Sequence, residues 1–248
     1  MGGQYIETML RSDHLSTGSR LRLPGQCAVC RTFAAGVVCA QCLSRFTVPG
    51  PRCQRCALRV ASGVSCCGAC LREAPPQTAT LAAIDYAYPW DELLRRFKFH
   101  AALDLAAPFA RQLLQALQGA GAGSVELILP APLAGPRLQE RGYNQAWELA
   151  RRLASWRGTA ADAGLLLRVR DTPHQLALPL AERAANVRGT YAIEPRRRHE
   201  LRGRRVAIVD DVMTTGATAH EMTRAVLQAG AAEVHLWVYA RTPAADGA

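Results

Sequence analysis

Residues 206–218 read VAIVDDVMTTGAT, and this stretch decides the fold. Val206, Ala207, Ile208 and Val209 form a short apolar, β-rich run, the pattern of a parallel strand buried on both faces. Asp210 and Asp211 follow at its carboxyl end. Thr214, Thr215, Gly216, Ala217 and Thr218 then lead into a helical segment over Ala219–Ala229, which Gly230 closes. In open α/β sheets, ligands bind beyond the carboxyl ends of strands. A helix N-terminus with free N–H groups is suited to holding a phosphate. Gly216 lets the backbone approach an anion closely, and the threonine hydroxyls add donors. Two adjacent carboxylates accept hydrogen bonds from neighbouring hydroxyls. A ligand with a phosphate at one end and a diol a few ångströms away, such as a sugar phosphate, fits that layout. Other phosphate loops do not fit, because the chain has no G-x-x-x-x-G-K-[ST] and no G-x-G-x-x-G at a strand end.

Outward from this stretch, strands and helices alternate. Strands are expected at Leu81–Tyr88, Val125–Leu129, Leu165–Val169, Arg204–Val209 and Glu233–Ala240, the last closing the sheet. Helices are expected at Trp90–Phe99, Leu103–Leu117 and Tyr143–Trp156, where apolar residues recur at i, i+3 and i+4. This order predicts an α/β fold with a mostly parallel sheet and flanking helices. Leu129-Pro130-Ala131-Pro132-Leu133 runs into Arg137-x-x-x-Arg141-Gly142-Tyr143-Asn144-Gln145. Two arginines in a loop above a strand, with Gly142, Asn144 and Gln145 at a helix start, make a candidate pyrophosphate cradle. Arg168, Arg170, Thr172, Gln175, Arg183 and Asn186 lie in a polar segment suited to a mobile lid.

The front of the chain differs. Cys27-x-x-Cys30, Cys39-x-x-Cys42, Cys53-x-x-Cys56 and Cys67-x-x-Cys70 are four thiolate knuckles, and two knuckles complete a tetrahedral four-sulfur site. Two structural zinc ions are expected. Consecutive pairing is the simplest, an interleaved pairing stays open, and Cys66 is left over. So small a segment, with few large apolar residues, needs metal to fold. The expected organisation is a loose tail over 1–23, a double zinc ribbon over 24–75 and an α/β domain over 81–242. Pro75-Pro76 makes a short, stiff connection that keeps the last two close together.

The chain has 248 residues and a formal net charge of +10. Residues 24–75 carry six Arg against Glu73 alone, and residues 168–205 carry ten Arg against four acids. All basic residues except Lys98 are Arg. Such charge suits a polyanionic partner, whether pyrophosphate or nucleic acid. No apolar run approaches the roughly 20 residues of a membrane span. Residues 1–23 lack the apolar stretch of a secretory signal, so a cytoplasmic location is expected. There, nine cysteines point to metal rather than disulfides.

VAIVDDVMTTGAT resembles the phosphoribosyl pyrophosphate (PRPP) signature of type I phosphoribosyltransferases. The resemblance implies that Asp210 and Asp211 hold the ribose 2′- and 3′-hydroxyls, that Thr214–Thr218 wrap the 5′-phosphate, and that Mg²⁺ accompanies PRPP. Together with the cysteine knuckles and the RGYNQ run at Arg141–Gln145, the chain from Cys27 to about Arg241 resembles the ComF family, also typified by GntX-like proteins. That family joins a double zinc ribbon to a phosphoribosyltransferase-type domain. By resemblance, the loop after Leu129 takes pyrophosphate, residues 168–188 form the closing loop, and Arg95, Arg96 and Lys98 match a basic patch. The resemblance leaves two functions open. One is phosphoribosyl transfer to an unknown acceptor. The other is a non-catalytic PRPP-binding role in DNA uptake, with single-stranded DNA or a competence helicase as partner. Hypoxanthine-type relatives carry an acid where this chain has Thr214, which counts against a 6-oxopurine acceptor. With about eight residues after the last strand, any acceptor-binding hood is expected from residues 81–100 or from the zinc module.

Overall fold

The computed structural model describes residues 25–170 and 189–244. The tail over 1–23 and the lid residues Thr172, Gln175, Arg183 and Asn186 lie outside the described residues.

Five strands make the central sheet, in the order β3 (Ala79–Asp85), β9 (Glu233–Arg241), β8 (Arg205–Met213), β4 (Leu127–Pro130) and β5 (Ala160–Ala161), and every pairing is parallel. Helix α3 spans Trp90–Phe99, α4 Ala106–Gly119, α5 Gly135–Arg141, α6 Gln145–Arg157 and α7 Ala217–Gln228. Both faces of the sheet are covered, which is why Val206–Val209 are all buried. Ala207, Val209, Trp237 and Tyr239 face one core, with Phe97 of α3, Phe109 and Leu113 of α4, and Leu149 and Leu153 of α6. Val206, Ile208, Leu236 and Val238 face the other, with Met222 and Val226 of α7. The two-residue alternation of each strand divides its side chains between the two cores.

The structure departs from the expected elements in four places. The last strand is not at an edge: β9 lies between β3 and β8, so the sheet closes on β3 at one side and β5 at the other. The Leu165–Val169 strand forms as β6 (Leu166–Arg168) but leaves the main sheet to pair antiparallel with β7 (Tyr191–Ile193). The Leu103–Leu117 helix begins as a 3-10 turn over Leu103–Leu105 before α4 starts. The Arg137–Arg141 stretch is not a loop but the short helix α5, because Pro136 suits a first helical turn and Gly142, at φ +75°, terminates it.

The cysteine-rich segment holds a two-stranded ribbon, β1 (Gly25–Gln26) with β2 (Phe33–Ala34), and the short helices α1 (Ala40–Phe46) and α2 (Gly68–Arg72). It is fastened to the α/β part by polar contacts. Asp85, at the end of β3, accepts from Arg52 at 2.7 Å and from Arg59 at 2.9 Å. The Arg55 carbonyl accepts from Gln77 and Thr80, both at 2.7 Å. Trp90 Nε1 donates to the Phe46 carbonyl at 2.9 Å. No helix among the described residues is long and apolar enough to cross a membrane.

Candidate functional site

Strand β4 stops at Pro130, opposite Val209, while β8 runs on to Met213. Asp210 and Asp211 therefore extend past the end of their neighbour and border a cleft of about 500 Å³. The acids belong to the strand itself and are held by its pairing to β9, where Asp210 lies opposite Val238. Asp211 follows Ala207 and Val209 at two-residue spacing and meets α3, whose Lys98 Nζ lies 3.0 Å from Asp211 Oδ2. The chain's single lysine is thus committed to the deeper of the two acids, which is 4% exposed.

Asp210 is half-buried, and its Oδ1 accepts from the Asp211 N–H at 2.8 Å. Burial and the adjoining Asp211 carboxylate push its carboxyl up from 3.8 to about 8, against the opposing pull of that N–H and of Lys98. Beside a second carboxylate and a single lysine, Asp210 favours holding its proton.

Beyond Met213 the backbone turns through Thr214 and Thr215 into Gly216, the N-cap of α7, at φ +88°. That left-handed conformation favours glycine. A Cβ there would also lie 2.8 Å from Met213 Cε and 3.0 Å from His220 Nε2. The N-cap Gly216 offers no side-chain cap; Thr215 Oγ1 accepts from the Ala217 N–H at 3.4 Å, and Thr214–Thr218 line the cleft at this helix start. This end of the cleft is built for an anion.

The cleft also carries positive charge. Arg137 and Arg141 of α5 line the cleft, as do Arg95 and Lys98 of α3 and Arg168 of β6. Arg141 stacks over the Phe99 ring at 4.7 Å. Burial and the neighbouring Arg168 and Arg141 hold Arg137 below its usual range, against the opposing pull of Tyr191 and Glu140. Gln145 also lines the cleft, and its buried Oε1 has no hydrogen-bond partner among the described residues. Asn144 is turned to the frame instead. Its Oδ1 caps α6 by accepting from Ala146 and Trp147, and its Nδ2 donates to the Ala131 carbonyl at 3.0 Å. Neither Asn144 nor Gly142 lines the cleft, and among the 168–188 candidates Arg168 does while Arg170 does not.

The sequence reading missed Tyr86, Phe99 and Tyr191, which complete the walls. Tyr86 and Phe99 come from the 81–100 segment expected to supply a hood, and no residue of the cysteine-rich segment joins them. Also missed was Arg241, a charged residue ending the apolar run Leu236–Ala240; that break in pattern was the available signal.

Away from the cleft, the eight knuckle cysteines gather into two sets of four. Cys27, Cys30, Cys39 and Cys42 form one and Cys53, Cys56, Cys67 and Cys70 the other, with the sulfurs of each set within 4.8 Å of one another. This is the consecutive pairing, and Cys66 stands outside both. The donor set fits a tetrahedral, thiolate-binding ion. Burial raises Cys53, but N–H groups of Cys67, Arg55 and Cys56 outweigh it and bring the thiol down to about 6, near the range where it ionises at neutral pH. Either cluster could hold a metal.

A cleft of this form, with an acid pair and a phosphate-type loop at the end of one parallel strand, defines a nucleotide- or sugar-phosphate-binding α/β domain. The phosphoribosyl transferase domain family matches residues 103–247. Over 229 residues the chain is 33% identical to DNA utilization protein YhgH of Salmonella typhimurium, covering 90% of this chain and 99% of that one. It is 30% identical to competence protein F of Haemophilus influenzae, over 87% of this chain and 96% of that one. Among solved structures, glutamine PRPP amidotransferase from B. subtilis, complexed with ADP and GMP, aligns with a TM-score of 0.37 at 22% identity, over 54% of this chain and 25% of that one. The chain belongs to the phosphoribosyl transferase domain proteins and, within them, to the ComF family.

Proposed function

We propose that the cleft binds PRPP with Mg²⁺. One observation carries this reading: Asp210 and Asp211 line a single cleft together with the α7 N-terminus at Gly216 and with Arg137 and Arg141. In this reading Thr214–Thr218 hold the 5′-phosphate through N–H groups and hydroxyls. Asp210 and Asp211 accept hydrogen bonds from the ribose 2′- and 3′-hydroxyls. Arg137, Arg141 and Arg168 face the pyrophosphate, and Gln145 Oε1 accepts from a ligand hydroxyl or metal-bound water. Mg²⁺ bound with PRPP supplies charge neutralisation at the diphosphate and diol oxygens.

Phosphoribosyl transfer breaks the bond from the anomeric carbon to pyrophosphate through an oxocarbenium-like transition state. The arginines neutralise the departing pyrophosphate as its negative charge grows. The carboxylates stabilise the developing positive charge on the ribose ring, Asp210 releasing its proton as ligand binds. Tyr86 and Phe99 offer apolar faces to an acceptor. The test is a titration with PRPP and Mg²⁺, followed by a screen of acceptors for pyrophosphate release. Transfer predicts release that Asp211→Asn abolishes; binding with no release under any acceptor favours a sensor pocket.

That second reading, a PRPP-binding protein handling single-stranded DNA during uptake, is favoured by the names of the relatives in Salmonella and Haemophilus. The net charge of +10 accords with it. It predicts DNA binding that weakens steeply with salt. Two structural zinc ions, one in each cysteine cluster, a double ribbon over 24–75, a phosphoribosyltransferase-type domain over 81–242 and a cytoplasmic location complete the proposal. Thiolate-only sites with no open ligand position support a structural role for the metal.

A further inference from the structure

Arg241 ends β9 and is 5% exposed. No carboxylate pairs with its guanidinium among the described residues. Its guanidinium donates to four backbone carbonyls. Its Nε donates to the Cys56 carbonyl at 2.8 Å. Its Nη1 donates to the carbonyls of Met213 at 3.1 Å, Thr242 at 2.7 Å and Thr214. Its own carbonyl accepts from the Tyr86 N–H at 2.8 Å. One residue therefore ties three parts of the molecule together: the second cysteine cluster through Cys56, the start of the phosphate loop through Met213 and Thr214, and a cleft wall through Tyr86.

A buried, unpaired cation is costly, so the residue needs a reason. Two features supply one. The planar fork of arginine carries donors on separate nitrogens and so reaches the Cys56 carbonyl and the Met213–Thr214 carbonyls at once, whereas an apolar residue has no donor and the donors of a lysine all radiate from one nitrogen. Four thiolates around one divalent ion also leave a net double negative charge, and Cys56 is one of the four. A metal-loaded cluster would then supply negative charge close to Arg241, whose Nε donates to the carbonyl of the ligand residue Cys56.

We propose that Arg241 is a positioning residue that couples metal occupancy of the Cys53–Cys56–Cys67–Cys70 cluster to phosphate binding by the Thr214–Thr218 loop. The loaded cluster fixes the Cys56 carbonyl and its charge, Arg241 spans from there to Met213 and Thr214, and the loop N–H groups are aimed at the anion. The first cluster, which has no such link, takes no part. The inference rests on the reading of the cleft as a PRPP site. Coupling of this kind is reciprocal: if metal strengthens phosphate binding, phosphate strengthens metal retention by the same factor.

The test uses the full-length, zinc-loaded protein and its Arg241→Met and Arg241→Lys variants. Calorimetry measures ribose 5-phosphate and pyrophosphate separately, and a competing chromogenic chelator measures zinc held per chain with and without ribose 5-phosphate. In the wild type, ribose 5-phosphate is expected to tighten retention of one zinc and leave the other unchanged. Arg241→Met should bind ribose 5-phosphate at least tenfold more weakly, keep its pyrophosphate affinity, and lose the effect of ligand on zinc. Arg241→Lys should restore little, since a single ammonium cannot span the carbonyls. General unfolding would weaken both ligands together, so a parallel loss of both contradicts a positioning role. Equal ribose 5-phosphate affinity in wild type and Arg241→Met, or zinc retention that ligand leaves unchanged in the wild type, overturns the inference while leaving PRPP binding intact. Failure of the wild type to bind either PRPP or ribose 5-phosphate overturns the PRPP reading and this inference with it.

Discussion

Replacing Asp210 by Asn should stabilise the empty protein while destroying its ligand site, and only above a defined pH. Asp210 titrates near 3.8 when unfolded and is pushed up to about 8 in the fold by burial and by Asp211. Between those values the native state holds a proton that the unfolded chain has released. Stability therefore falls as pH rises through this window, by up to about 1.4 kcal/mol per unit for a single site. Lys98 and the remaining solvent exposure reduce that figure, so a penalty of about 1–3 kcal/mol is expected at pH 7. It is absent below about pH 4 and complete above about pH 8. Asn keeps the shape and cannot ionise, so the variant escapes the penalty. For a chain of this size, the gain corresponds to a rise of about 2–10 °C in Tm. The assay is urea unfolding of wild type and Asp210→Asn at pH 4, 5.5, 7 and 8.5. The variant should match the wild type at pH 4 and exceed it increasingly toward pH 8.5. Because the ligand diol needs an ionised acceptor, PRPP binding near pH 7 should also release close to one proton, visible as a dependence of binding heat on buffer ionisation enthalpy. A stability difference that does not change with pH, or a variant less stable at pH 8.5, would refute the reasoning.

Three further outcomes follow from the same geometry. Gly216→Ala forces a side chain into a φ of +88° and against Met213 and His220, so it should cost about 1–2 kcal/mol in denaturant melts and at least tenfold in ribose 5-phosphate affinity. Arg137→Ala with Arg141→Ala should weaken pyrophosphate more than ribose 5-phosphate and flatten the salt dependence of PRPP binding, as read by calorimetry at two ionic strengths. Removal of metal by a strong chelator should release two zinc ions per chain, measured colorimetrically, and disorder the cysteine-rich segment first, because its described helices are only 7 and 5 residues long.

The sequence was most informative where one local pattern dictates one local structure. Val206–Val209 could be placed as a buried strand because a short apolar, β-rich run leaves few alternatives, while the helix expected over Ala219–Ala229 begins two residues earlier, at Ala217 after the N-cap Gly216. The cysteine spacing likewise announced two clusters. Strand order was not legible in the same way. Nothing in Glu233–Arg241 says that it pairs on both sides, since apolar runs of edge and central parallel strands look alike. Leu165–Val169 reads as a strand but carries no signal that it leaves the main sheet. Arg137–Arg141 was mistaken for loop because seven residues are too few to show helical periodicity. The residues hidden in the site share a single cause. Tyr86, Tyr191 and Arg241 reach the cleft or its loop only through tertiary packing, and their partners there lie far away in the sequence.

The central claim is that Asp210, Asp211 and Thr214–Thr218 form a PRPP site. A calorimetric titration of the zinc-loaded protein with PRPP in the presence of Mg²⁺ tests it most directly. The account predicts saturable, one-to-one binding well below about 1 mM, lost in Asp211→Asn. Absence of binding at about 1 mM PRPP, or unchanged binding in that variant, would contradict it.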